Sequence, residues 1–157
     1  MTTETPAILC AVDFSNDSEA ALDWAAGQSV RDNARLVVLH VVHDPAGSPG
    51  FYLKPDADWL RPMEEVAREM LERFIEAFWV RNSHLDGLLQ LKTMLVTGLP
   101  PGRIAETAEA IDANQVVVGS RGRTGLPHLA LGSVAQRVVQ IVQVPVTVVK
   151  ATNEAID

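Results

Sequence analysis

Residues 119 to 133 read GSRGRTGLPHLALGS, a stretch holding four glycines, two arginines and two serines. Glycine serves where the backbone must take a positive φ or approach another group closely, and arginine carries a planar, permanently charged fork that suits phosphate oxygens. The stretch follows the β-branched run VVV and precedes the apolar-periodic run VAQRVVQIV, so it joins a strand to a helix. Together they suggest an anion cradle, because the first N–H groups of a helix lack intrahelical acceptors and lie at the positive end of its dipole.

Spacing separates this stretch from three familiar phosphate motifs. A Walker loop requires Gly-Lys-Ser/Thr four residues after a glycine, and the stretch has no lysine. The dinucleotide fingerprint G-x-G-x-x-G does not occur either. A flavin phosphate loop would follow the first strand, where DFSNDSE sets three acidic groups against a phosphate. What remains is Gly119, two residues, Gly122, nine residues, then Gly132-Ser133. Gly119 and Gly122 would let backbone amides turn toward a ligand, and Ser133 would open the following helix. Arg121 and Arg123 add local positive charge; Arg121, inside the glycine pair, is the better placed.

Of the other groups with chemistry, Asp13 ends the first apolar run and is favoured as a ligand contact over a helix cap, since Ser15, Asn16 and Asp17 already offer caps. His40 lies on an apolar run and reads as a satisfied core histidine, His43 and His84 as surface residues, and His128 as a solvated loop residue. The histidines show no paired metal spacing and there is no cysteine cluster, so a dedicated protein metal site is not expected. The single cysteine, Cys10, sits within an apolar run and reads as a buried, inert thiol.

The elements that must position these groups follow from hydrophobic patterning. Strand-like runs cover 7–12, 36–42, 88–96, 116–118 and 144–149, most of them continuously apolar, as suits parallel strands covered on both faces. The third run is more polar and belongs nearer a sheet edge. Helical patterns cover 17–31, 58–82, 103–112 and 133–142. On the longest, Met63, Ala67, Met70, Phe74 and Phe78 form one stripe, with Glu64/Arg68 and Glu69/Arg73 as pairs on the other face and Pro62 in the first turn. Strands alternating with helices imply an α/β fold, a doubly wound five-stranded parallel sheet with helices on both faces and a ligand crevice at the carboxyl ends of its strands. The Pro- and Gly-rich segment 44–56 reads as a surface loop.

Composition bounds the rest. At 157 residues, 47% hydrophobic and 21% charged, the chain fits one globular domain, 1–157. Thirteen Lys plus Arg against 20 Asp plus Glu give a net charge of -7, which argues against nonspecific nucleic-acid or anionic-membrane binding. MTTETPAILCAVDFS has no basic region ahead of a long apolar stretch, and no window approaches the ~20 apolar residues that span a bilayer. The expected location is the cytoplasm.

The combination of G-x2-G-x9-G-S with an aspartate closing the first strand resembles the universal stress protein family, in its ATP-binding form. ILCAVDFSNDSEAALDWA resembles the family's first strand and helix, LVVLHVV its second strand, VTGLPPGRIAETAEAIDANQVVVGSRG its third helix and fourth strand, and VPVTVVK its last strand. The resemblance implies an adenine-nucleotide α-hydrolase-like sheet that binds ATP, with Mg2+ arriving on the phosphates. It implies that Asp13, with Ala11 and Val12, meets the adenine end and that Val41 packs against the base. Gly119, Arg121, Gly122, Gly132, Ser133 and Val134 would surround ribose and phosphates. It further implies a homodimer through Val146 to Val149 and a part in stress tolerance and regulation. One departure is Asn114, where the family commonly has an acidic residue; it bears on a structural contact more than on the ligand.

Three functions fit these residues. The favoured one is a regulatory nucleotide binder whose glycine loop modulates partner binding. A slow ATPase or autophosphorylating protein is the alternative, with Ser133 or Thr124 as acceptor, though no residue offers itself to orient a nucleophile. The third is an interaction module with a vestigial site.

Overall fold

The computed structural model describes residues 5–43, 62–122 and 131–152. Five strands alternate with four α-helices: β1 (Ala7–Ala11), α1 (Asn16–Asp32), β2 (Arg35–Val42), α2 (Met63–Arg81), β3 (Gln90–Thr97), α3 (Pro100–Ala110), β4 (Gln115–Gly119), α4 (Ser133–Ile141) and β5 (Val146–Val149). A 3-10 turn, Ser83–Leu85, follows α2. The strands form one parallel sheet in the order β3-β2-β1-β4-β5. The doubly wound parallel sheet expected from the alternation is therefore the observed architecture.

The continuous apolar runs occupy the sheet centre. Ile8, Cys10, Leu36, Val38 and Val117 face α1 and α2, against Leu22, Phe74 and Phe78. Leu9, Val37, Leu39, Val116 and Val118 face α3 and α4, against Ile104, Ala108 and Val138. Burying a side chain such as Phe78 contributes on the order of 1.5–3 kcal/mol. β3 lies at an edge and has only exposed and half-buried positions, as its polarity suggested. At the other edge every residue of β5 is half-buried.

Boundaries differ where local chemistry overrides periodicity. The third strand starts at Gln90 rather than residue 88: Leu88 is 64% exposed and Gly87 takes φ 86, so the chain is still turning. α3 begins at Pro100 rather than 103, because proline in a first turn lacks only an N–H that has no intrahelical partner anyway. The last strand begins at Val146, although the Pro145 carbonyl still accepts from Val116 N–H at 2.9 Å. Pro62 caps α2 from outside its first turn, and Met63 is exposed while Val66 and Leu71 join the buried stripe. Glu69 and Arg73 pair at 3.8 Å, whereas Glu64 accepts from the Thr97 hydroxyl at 3.0 Å. The expected 44–56 loop, the start of the 58–82 helix and Arg123, Thr124 and His128 lie outside the described residues. No helix among the described residues is long and apolar enough to cross a membrane.

Candidate functional site

In a doubly wound sheet the ligand crevice opens where the winding reverses, and here that point lies between β1 and β4. The chain leaving β1 carries Asp13 and the chain leaving β4 carries Ser120, Arg121 and Gly122. The sheet order thus brings together residues that are more than a hundred positions apart.

The turn after β1 is built in detail. Val12 donates its N–H to the Leu39 carbonyl at 2.9 Å, extending the pairing with β2 beyond the strand. Phe14 then takes φ 67, an unusual left-handed conformation for a bulky residue, and the chain reverses. Ser15 caps α1 by accepting from Ser18 N–H at 3.2 Å, and Asp13 Oδ1 holds that cap by accepting from the Ser15 N–H at 3.1 Å and from its hydroxyl. Asp13 therefore supports the cap with Oδ1 while its Oδ2 faces Gly122, 2.7 Å from where a β-carbon there would sit.

Behind this turn His40 is 3% exposed, stacked on Phe14 at 4.2 Å between ring centroids. Its Nδ1 lies 2.8 Å from the Val12 carbonyl, which can only accept, so Nδ1 carries the hydrogen. Burial pushes the ring's pKa below its ordinary value, while the bond to Val12 and the Asp13 charge pull the other way and lose. The expected core histidine is a neutral ring that buttresses the Asp13 turn. His43 and His84 are exposed, as expected. Burial likewise pushes the Cys10 thiol well above its usual range, so it stays an inert thiol.

Each glycine of the motif has a structural reason. A β-carbon on Gly119 would sit 2.9 Å from the Asp17 backbone carbon, so β4 approaches the first turn of α1 as only glycine permits. One on Gly132 would sit 3.2 Å from Arg121 Cα and from the Ser120 carbonyl. Gly132 N–H donates to that carbonyl at 2.6 Å, which staples the two ends of the glycine stretch together.

Asp17, which sequence reasoning treated only as a spare cap, is the hub of this arrangement. It is 5% exposed and accepts from the Ser120 hydroxyl at 2.8 Å, from Arg121 N–H at 3.0 Å and from Ala151 N–H at 3.0 Å. Arg121 Nε lies 3.7 Å from the same carboxylate. Burial alone would raise its pKa, but those hydrogen bonds and the Arg121 charge outweigh it, and the group is held below the ordinary carboxylate range. The amide of Arg121 is thus turned into the protein rather than toward a ligand. A sequence signal existed: three capping residues in a row, Ser15, Asn16 and Asp17, are more than one helix end uses.

The other expected site residues fall around this point. Ala11 ends β1 and, like the buried Val41 on β2, faces the α3 and α4 side. Ser133 and Val134 open α4 and are exposed. Gly132 is the N-cap, with no side-chain hydrogen bond to the helix. Gln136 N–H reaches the Gly132 carbonyl at 2.9 Å, so the amides of Ser133, Val134 and Ala135 have no intrahelical acceptor and suit an anion. The chemistry fits an adenine nucleotide: a carboxylate for an exocyclic amine at one side, and a guanidinium with helix-end amides for phosphate at the other. Asn114 accepts from Ala7 N–H at 2.9 Å and donates its own N–H to the Ala7 carbonyl at 2.8 Å, the structural contact expected of it.

The universal stress protein family model matches residues 5–150. Universal stress protein MJ0531 of Methanocaldococcus jannaschii is 42% identical over 146 residues, covering 91% of this chain and 81% of its own. Universal stress protein YxiE of Bacillus subtilis is 31% identical over 147 residues, covering 91% and 97%. Among solved structures, universal stress protein UspA from Lactobacillus plantarum superimposes with a TM-score of 0.70 at 26% identity, covering 94% of this chain and 99% of its own. Two more share the fold at a TM-score of 0.61: a universal stress protein in complex with cAMP, 22% identical and covering 96% and 100%, and one from Archaeoglobus fulgidus in complex with dAMP, 21% identical and covering 94% and 98%.

Proposed function

The chain belongs to the universal stress protein family, and from that membership we propose that it is a regulatory adenine-nucleotide binder, taking ATP at the crevice between β1 and β4. The observation that carries the reading is the meeting of Asp13, Arg121, Gly122 and the uncapped end of α4 at the point where the sheet reverses. Relatives of the same fold bind cAMP and dAMP, which share the adenine and a phosphate. Asp13 accepts from the adenine amine, with Ala11 and Val41 as the apolar wall beside the base, while Val12, whose side chain packs on the α1 and α2 face, supports the turn behind it. Arg121, Gly119, Gly122, Gly132, Ser133 and Val134 line the ribose and phosphate side, and Mg2+ arrives with the nucleotide, held by phosphate oxygens and water.

Binding rather than turnover is the activity. Among the described residues, the carboxylates at the glycine turn are already engaged: Asp17 by three donors, Asp13 by the Ser15 cap. The nucleotide acts by ordering the glycine loop and so changing which partner the protein binds during stress. The working unit is a cytoplasmic dimer paired through Val146 to Val149, since β5 lies at a sheet edge with half-buried valines.

Calorimetric titration of ATP with magnesium into nucleotide-stripped protein tests the reading, after mass spectrometry of whatever nucleotide fresh protein releases. Micromolar affinity or better is expected, about -8 kcal/mol. No heat at several temperatures and no released nucleotide would overturn it.

A further inference from the structure

The two oxygens of Asp17 serve different parts of the chain. Oδ2 accepts from the Ser120 hydroxyl and the Arg121 N–H, both inside the glycine motif, with Arg121 Nε at 3.7 Å. Oδ1 accepts from Ala151 N–H at 3.0 Å. The backbone pairing of β4 with β5 closes with Ser120 N–H donating to the Val149 carbonyl at 2.8 Å, so Ala151 lies beyond the ladder. A carboxylate this buried is stable only while its donors stay in place, and losing one is costly.

We infer that Asp17 is a positioning residue joining the glycine loop to the chain that leaves the edge strand β5, so that a ligand engaging Arg121 and Gly122 alters the order of Ala151 through this one side chain. The inference rests on the nucleotide-binding reading for the ligand, but not for the link itself. Through it, events in the crevice reach the sheet edge where a second copy would pair. Here the β5 arm is one hydrogen bond and the loop arm two, each of which substitution can cut.

The arms separate by chemistry. Asp17→Asn keeps the shape of the side chain. Its single carbonyl oxygen is drawn to the Oδ2 position, where two donors converge, leaving the amide NH2 facing Ala151 N–H. That variant cuts the β5 arm, whereas Ser120→Ala cuts one strand of the loop arm.

Amide hydrogen exchange followed by NMR, with and without saturating ATP and magnesium, reads both ends. Without ligand, Asp17→Asn should exchange Ala151 about tenfold faster while the Ser120 amide, held by the ladder, stays as in the unsubstituted protein. Unchanged exchange at Ala151 would overturn the link. With ATP, the unsubstituted protein should slow exchange at Arg121, Gly122 and Ala151, and Asp17→Asn at the first two only. An equal response of Ala151 in Asp17→Asn, or a response confined to the loop in the unsubstituted protein, refutes the coupling. Should ATP give neither calorimetric heat nor any change at Arg121 and Gly122, the nucleotide reading fails separately. The link is then decided without ligand by Ser120→Ala, which also serves if Asp17→Asn does not fold: roughly threefold faster exchange at Ala151 supports it and no change refutes it.

Discussion

Asp13 Oδ2 lies 2.7 Å from the point where a β-carbon on Gly122 would sit, so the end of β1 and the turn after β4 touch through a carboxylate and a missing side chain. Asp13 cannot swing aside freely, because its Oδ1 accepts from the N–H of Ser15, the residue that caps α1. Gly122→Ala should therefore displace the carboxylate from the crevice while leaving the core intact. The expected result is about a tenfold loss of ATP affinity by calorimetry with a stability change within about 1 kcal/mol. In an Asp13→Ala background the same substitution should cost little further affinity, since the clash is gone; additive losses in that cycle would show that the two residues do not act together.

Gly119→Ala should behave in the opposite way. Its β-carbon would meet the backbone of Asp17 at 2.9 Å, and two packed backbones have no flexible end to yield. Denaturant titration should show a loss of about 1–3 kcal/mol, the usual cost of forcing atoms into a packed site. Gly132→Ala, at 3.2 Å from its nearest neighbours, should lose less. Equal stabilities for the two variants would contradict the packing account.

These contrasts explain what was readable in the sequence. The order of elements followed from apolar runs such as LVVLHVV, because a central parallel strand must be apolar on both faces, and the polar third run fell at an edge for the same reason. The spacing of the glycines was also legible, but their separate duties were not. Gly119 is required by Asp17, and Asp17 by Ser120 and Ala151, which stand 103 and 134 positions away. No local pattern encodes such a contact, and an aspartate in a first helical turn has a sufficient local explanation as a favourable charge on the dipole. The start of α3 was misplaced for a simpler reason: the apolar periodicity begins only at Ile104, whereas the helix already starts at Pro100, in the first turn where prolines are tolerated.

His40 makes stability depend on pH in a direction that follows from its burial. Desolvation lowers its pKa below the ordinary 6.5, and the Val12 carbonyl and Asp13 only partly offset this. The unfolded chain therefore takes up the proton first as pH falls. The contribution of the neutral ring is full above about 6.5 and is lost progressively from there down to the lower folded-state value. His40→Gln retains a donor for Val12 without titrating in this range, so the drop in melting temperature on acidification below that point should flatten. A variant as pH-sensitive as the unsubstituted protein would assign the slope to other groups.

The edge strand supplies the last prediction, through the register of its ladder. Val116 N–H donates to the Pro145 carbonyl and Ser120 N–H to the Val149 carbonyl, so odd-numbered residues of this segment turn their backbone groups toward β4. In a parallel ladder alternate residues bond to opposite neighbours, which leaves the N–H and carbonyl groups of Val146 and Val148 directed at the open edge. Proline at position 148 removes an outward N–H without touching a bond to β4, the circumstance in which an edge strand tolerates it. If two copies pair through this edge, Val148→Pro should shift the protein from dimer to monomer in light scattering at micromolar concentration while binding ATP as before. Thr147→Pro should instead strain the β4 side and lower the melting temperature, because its backbone faces inward. A dimer that survives Val148→Pro would place the interface elsewhere, since backbone pairing along four residues cannot lose its central donor without effect.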